Sequence, residues 1–171
     1  MSYIEKNLLK NERIIYFTRM HSVVFLMPVT LLIVTVILSG VAPKLFIGYV
    51  PFFNVRLASL IILICLAAAI ISGIGSFIRF ANSEYAVTDK RIMMKTGWIN
   101  RNSLEIFIDK IEAIYVDQSI LGRVLDYGTL RIVGTGGTQD PFFLIPRPLI
   151  FRKIAQEQVD IEEHPGSRKK N

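Results

Sequence analysis

One thiol, Cys65, and two imidazoles, His21 and His164, are all that this 171-residue sequence offers of either group. A single cysteine closes no intramolecular disulfide and makes no CxxC metal site. Cys65 also lies inside an apolar run, where a small residue facing lipid or a neighbouring helix is ordinary. The histidines stand near opposite ends of the chain without metal-ligand spacing, which argues against zinc. No metal and no cofactor is expected.

Patterns that carry catalysis are missing as well. The carboxylates Asp89, Asp109, Glu112, Asp117 and Asp140 are scattered across turns, and no histidine stands between His21 and His164. General acid–base chemistry is therefore unsupported. Ser103 and Ser119 have no nucleophile-elbow context. Gly134-Thr135-Gly136-Gly137-Thr138 looks like a phosphate loop, but no Lys-Ser/Thr follows its glycines and no helix begins there. Asp140-Pro141 and a strand follow instead, so the glycines read as a tight connection. The chain is read as a non-enzyme.

Charge is absent from two long stretches. Leu57–Ile78 contains 22 residues without one charge and ends against Arg79. As a helix it would reach about 33 Å, enough for a hydrocarbon core of about 30 Å. Val23–Ala42 is a second uncharged run, of twenty residues. A cleaved signal peptide fits it poorly, because the leader is too long and the run too extended. Pro28 falls in its first two turns, where a missing N–H costs least. Thr30 and Thr35 can bond to carbonyls of their own helix. Transporters, pumps and proton relays usually keep ionisable groups inside the membrane. These two spans keep none and read as an anchor.

The positive charge is placed around the spans. Residues 1–56 carry six Lys/Arg against two Asp/Glu, and residues 79–171 carry fourteen against twelve. The formal net charge of +6 thus belongs mainly to membrane flanks, and no nucleic acid is expected as a partner. Lys6, Lys10, Arg13 and Arg19 precede the first span, and Arg79, Lys90, Arg91 and Lys95 follow the second. The connector holds only Lys44 and Arg56. The positive-inside bias then places both termini in the cytoplasm. Within the connector, Phe46, Tyr49, Phe52 and Phe53 read as interfacial anchors. Arg13, Arg19 and Arg79, nearest the membrane, are the candidates for contact with anionic lipid headgroups, each worth about 1 kcal/mol near such a surface.

From Ser83 the apolar period becomes two. Tyr85 and Val87, then Ile92 and Met94 across Thr88-Asp89-Lys90, predict a hairpin closed off by Gly97. Leu104, Ile106 and Ile108, Ile114 and Val116, Leu130 and Ile132, and Phe142 to Ile145 continue the series. Such a run argues for an antiparallel sandwich or barrel. Ser119–Asp126 predicts a helical turn with Ile120, Leu121, Val124 and Leu125 tucked inward and Arg123 paired with Asp117 or Asp126. Pro146-Arg147-Pro148 stops the sheet. Leu149–Val159 is an amphipathic helix with Ile150, Phe151, Ile154 and Ala155 on one stripe. Arg168-Lys169-Lys170 closes a polar tail expected to be disordered.

Three stretches resemble the bacterial pleckstrin-homology (PH)-like domains in their membrane-anchored form. They are Tyr85-Ala86-Val87-Thr88-Asp89-Lys90-Arg91; Ile111-Glu112 through Val116-Asp117-Gln118-Ser119-Ile120-Leu121-Gly122-Arg123 to Tyr127-Gly128-Thr129; and Gly134-Thr135-Gly136-Gly137-Thr138 with Pro141-Phe142 after it. The resemblance implies two antiparallel sheets plugged by the C-terminal helix. Asp89, Arg91, Gly122, Arg123, Tyr127, Gly128, Gly134, Gly136 and Gly137 would be its structural motif residues. Eukaryotic domains of this fold often hold phosphoinositides in a long basic loop between the first two strands. That loop is read here as Thr88-Asp89-Lys90, too short and too acidic for a phosphate cage.

The expected architecture is a membrane-anchored α+β chain: a cytoplasmic segment 1–22, spans 23–42 and 57–78 joined by connector 43–56, a PH-like domain 83–160 and a basic tail 161–171. The resemblance adds a bacterial inner membrane as the location. The expected role is a protein-binding or assembly module, with a protein partner or a second copy of the chain. The alternative is a peripheral sensor of anionic lipids.

Overall fold

A computed structural model describes residues 3–45, 49, 50, 55–97, 102–137 and 141–164. In chain order its elements are α1 (Tyr3–Lys6), β1 (Ile14–Arg19), α2 (Leu26–Leu45), β2 (Tyr49–Val50), β3 (Val55–Arg56), α3 (Leu57–Ala81), β4 (Glu84–Thr88), β5 (Arg91–Thr96), β6 (Asn102–Phe107), β7 (Ile111–Asp117), α4 (Ile120–Val124), β8 (Tyr127–Gly134), β9 (Pro141–Pro146) and α5 (Pro148–Glu163). The chain divides into two compact units, residues 22–78 and residues 1–21 with 79–171.

The first unit is a helical hairpin. Ser22–Val41 and Ser59–Ala81 are long and apolar enough to cross a membrane. Val36 and Ile71 leave 70% and 71% of their surface uncovered, which water penalises and hydrocarbon does not. The helices meet through small residues: Ala69 and Ser76 are buried, and a Cβ on Gly73 would lie 3.7 Å from Pro28. Small residues at such a seam let two backbones approach. Thr30 and Thr35 donate to the Met27 and Leu31 carbonyls at 2.8 and 2.7 Å. The aromatics Phe46, Phe52 and Phe53 lie outside the described residues, as do Thr138 and the Arg168-Lys169-Lys170 tail.

The second unit holds two antiparallel sheets, ordered β1-β4-β5-β6 and β7-β8-β9. Their facing sides share one core: Tyr85, Val87, Ile92, Met94 and Ile106 from the first, Ile114, Leu130, Ile132, Phe142 and Ile145 from the second. α5 lays Phe151 and Ala155, both fully buried, across it. Among the described residues the two ladders remain separate, so of the expected sandwich or barrel the arrangement is the sandwich.

The N-terminal segment departs most from the sequence reading. Residues 1–21 belong to the same unit as residues 79–171. β1 pairs with β4 along its length, from Ile14↔Thr88 to Arg19↔Glu84. The domain therefore begins before the apolar spans and not at Ser83. The connection between the first two strands of the larger sheet is the whole helical hairpin, and Thr88-Asp89-Lys90 joins the second strand to the third. β4 is buried along its whole length because both its faces are covered. The core lies on one side; Ile4 of α1 packs on Ala86 and Met93 on the other. At the C-terminal end, α5 runs on through Ile161 to Glu163, into residues read as tail.

Candidate functional site

Three places in the sandwich unit gather the residues singled out above. The first is the outer face of the larger sheet, where Arg91 holds the N-terminal arm. Its Nε donates to Glu12 Oε1 at 2.9 Å and its Nη2 to Glu12 Oε2 at 3.0 Å. Nη1 donates to Glu105 Oε2 at 2.6 Å, and Nη2 also reaches the Asn7 carbonyl at 2.6 Å. The Thr88 hydroxyl donates to Glu12 Oε1 at 2.8 Å and accepts the Arg91 and Lys90 backbone N–H groups. Burial alone would raise the Glu12 pKa, but hydrogen bonds from Arg91, the Leu9 N–H and Thr88 outweigh it and hold the carboxyl below its ordinary value. The same pairing raises Arg91, against its own burial. Asp89 adds a second tie: Oδ1 accepts the Arg13 N–H at 2.9 Å, and its own N–H donates to the Arg13 carbonyl. Asp89 and Arg91 thus act as structural clamps. Sequence reasoning missed Glu12, the partner of Arg91, one of two acids in a mixed segment.

The second place is the α4 corner. Ser119 caps the helix, accepting the Gly122 N–H at 3.0 Å, and Gln118 Nε2 donates to the Tyr127 carbonyl at 3.1 Å. Gly122 and Gly128 sit where no side chain fits. A Cβ on Gly122 would stand 2.6 Å from the Tyr127 carbonyl oxygen, and one on Gly128 would stand 2.8 Å from that of Asp117. The expected inward packing is reversed. Of α4 only Gly122 is buried, while Ile120, Leu121, Val124 and Leu125 are 84%, 60%, 77% and 43% exposed. Five residues are too few to wrap a core, and the close approach of Gly122 to β8 turns the larger side chains away. Asp117 pairs with Arg131 at 2.7 Å. Arg123, exposed, lines a shallow cleft with Asp126 and Leu149.

The third place is an edge of the smaller sheet. β7 pairs with β8 and is one of the two edge strands of that sheet among the described residues, the other being β9. Beside it a groove of about 330 Å³ runs between Ile111–Ile114 and the α5 residues Gln156, Val159 and Asp160. Gly134, at the end of β8, is packed under the Lys110 carbonyl, and Gly136 stands in open space. Gly137 turns the chain at φ 70°.

Of the candidate headgroup arginines, Arg13 is held apart from Arg19 by the length of β1. Arg19 ends β1, exposed, three residues before Ser22. Arg79, in the last turn of α3, lines a cleft of about 430 Å³ with Met20, Tyr85, Gly97 and Phe143. Burial pushes the Tyr85 phenol up to about 12. Arg13 precedes β1 at its far end, about 20 Å from Arg19 along the strand. Among the described residues no group of three or more His, Cys, Asp or Glu is arranged to hold a metal ion.

A four-stranded and a three-stranded antiparallel sheet, closed over by one C-terminal helix, define a small sandwich domain. The chain belongs to the bacterial PH domain family, whose model matches residues 22–159. That match takes in the helical hairpin and begins just after β1, the strand the sandwich needs from upstream. No curated protein and no solved structure matches the chain. PH domains are generally non-catalytic modules that bind proteins or lipids.

Proposed function

We propose that this chain is a non-enzymatic, membrane-anchored module that takes an extended polypeptide segment along the edge of β7, at the cytoplasmic face of a bacterial inner membrane. The observation that carries this reading is the edge strand β7 beside the α5 groove. A strand added there would gain backbone hydrogen bonds from β7 and rest side chains against Val159 and Gln156. A second copy of the chain can supply that segment as well as another protein can. The anchor raises local concentration at the membrane, and the lysines and arginines flanking the apolar helices support a cytoplasmic domain.

Native mass spectrometry of the full chain, extracted gently from its own membrane, tests this. A co-purifying polypeptide or a defined homo-oligomer is expected, lost on Ala113→Arg or Val159→Arg. A monomer in the unaltered chain, or a complex indifferent to both substitutions, overturns it.

A second reading, a sensor of anionic lipid, is favoured by Arg19 and Arg79, which lie beside the two points where the chain passes into its apolar helices. It requires retained anionic lipid to fall with rising salt and on Arg19→Gln with Arg79→Gln.

A further inference from the structure

Among the described residues of the sandwich unit, a dense exposed apolar surface lies at α4. Ile120, Leu121, Val124 and Leu125 lie within six residues, and Leu149 of α5, 59% exposed, lines the adjoining cleft with Arg123. This is a built projection. The Ser119 cap, the Gln118 hydrogen bonds and the packing of Gly122 against Tyr127 fix α4 to the sheet with its large side chains outward. A fixed, uncovered apolar turn of this kind marks a surface made for an apolar neighbour.

Chain continuity indicates which neighbour. The Tyr127 ring lies 5.5 Å from that of His21, and the next residue, Ser22, opens the first apolar span. The His21 N–H donates to the Leu144 carbonyl at 2.7 Å, at a bulge where Leu144 takes a positive φ of 58°. That bond places Phe143, 58% exposed, at the same end of the sandwich. The end carrying α4 is therefore the end from which the chain passes into its apolar helix. The charges at this corner, Arg123 and Arg147 with Asp126 between them in sequence, are all exposed, and two arginines suit an anionic headgroup layer.

We propose that α4 is a bilayer-contacting element: Ile120, Leu121, Val124 and Leu125 enter the interfacial layer of the membrane that the chain's own helices occupy, with Arg123 and Arg147 at headgroup level. Interfacial helices bury an apolar face by about 5–10 Å in this way. The contact adds a third attachment to the two covalent ones and fixes the face the sandwich turns to the lipid. The inference rests on the reading of α2 and α3 as membrane spans, and is separate from the β7 groove.

The test uses the full chain, with Cys65→Ala as background, in vesicles of phosphatidylethanolamine and phosphatidylglycerol. An environment-sensitive fluorophore is placed at Val124→Cys, with a control at Thr135→Cys, an exposed position in the turn after β8. At position 124, lipid spin-labelled near the headgroup is expected to reduce emission about two-fold, and aqueous iodide to have little effect; at position 135 the order is reversed. A probe at 124 open to iodide overturns the proposal. So does one shielded from iodide and indifferent to spin-labelled lipid, since a protein would then cover α4. A third probe at Ile71→Cys, exposed near the middle of α3 and read with lipid spin-labelled deep in its acyl chain, separates the two readings. Quenching by lipid at 71 but not at 124 defeats this inference alone, whereas no lipid quenching at 71 defeats the membrane-spanning reading itself.

Discussion

Glu12 and Arg91, 79 residues apart in sequence, form a bidentate ion pair whose side chains are 0% and 8% exposed. Removing one partner of such a pair leaves the other buried and unmatched, at a cost of about 3–5 kcal/mol. Glu12→Ala is expected to lower stability by that order and to open the arm around Lys10 and Arg13 to trypsin. The double variant Glu12→Leu with Arg91→Met is expected to recover most of the loss, because the carboxylate then left without Arg91, that of Glu105, is 34% exposed and can be hydrated. Thermal unfolding in detergent with limited proteolysis checks both; a silent Glu12→Ala would remove the clamp from the account.

Because the Glu12 carboxyl is held below its ordinary value of 4.5, the stabilisation it provides is complete above about pH 4.5. It is lost as pH falls through the depressed folded value. The unaltered chain should therefore lose thermal stability below about pH 4.5 more steeply than Glu12→Gln. Parallel melts from pH 7 to pH 3 make the comparison, and equal slopes would count against it.

Glycines of the motif are expected to differ sharply. Gly122→Ala and Gly128→Ala drive a methyl against backbone oxygens at 2.6 and 2.8 Å, and overpacking of this kind costs about 1–3 kcal/mol. Gly136→Ala meets nothing within 4 Å and should be neutral. Melting temperatures of the three variants decide whether the motif is kept for close packing.

Ile120→Ser and Val124→Ser remove apolar side chains that touch little of the core. Their expected effect on stability is within about 0.5 kcal/mol, against about 3–5 kcal/mol for Phe151→Ala in the core. Losses of several kcal/mol at 120 or 124 would mean that α4 packs inward after all.

Much of the sandwich is legible locally. The alternation of Tyr85 and Val87 with Ile92 and Met94 gives the β4–β5 hairpin, and the Phe151 and Ala155 stripe gives α5, because each pattern is complete within one element. β1 alternates in burial but not in sequence, where Ile14-Ile15-Tyr16-Phe17 is an unbroken apolar run; its partner β4 also lies beyond the helical hairpin, and nothing local to Ile14–Arg19 names a partner that distant. The Glu12–Arg91 clamp is hidden for the same reason. At α4 the helical turn is legible while its facing is not, since one turn has no periodicity to show which side is buried. The exposed apolar surface thus escaped the sequence reading, although Gly122 held the signal: the smallest residue marks the side pressed against β8.

The ladder between β1 and β4 has a consequence of parity. Arg19 and Glu84 are paired neighbours, so both must occupy one compartment, and a chain that crosses a bilayer between them must do so an even number of times. A nascent chain that failed to bring its second helix back across would strand β4 without its neighbour and leave the Arg91 guanidinium without Glu12. If α2 and α3 cross a bilayer, only the topology that returns the chain to its starting side lets β1 and β4 pair.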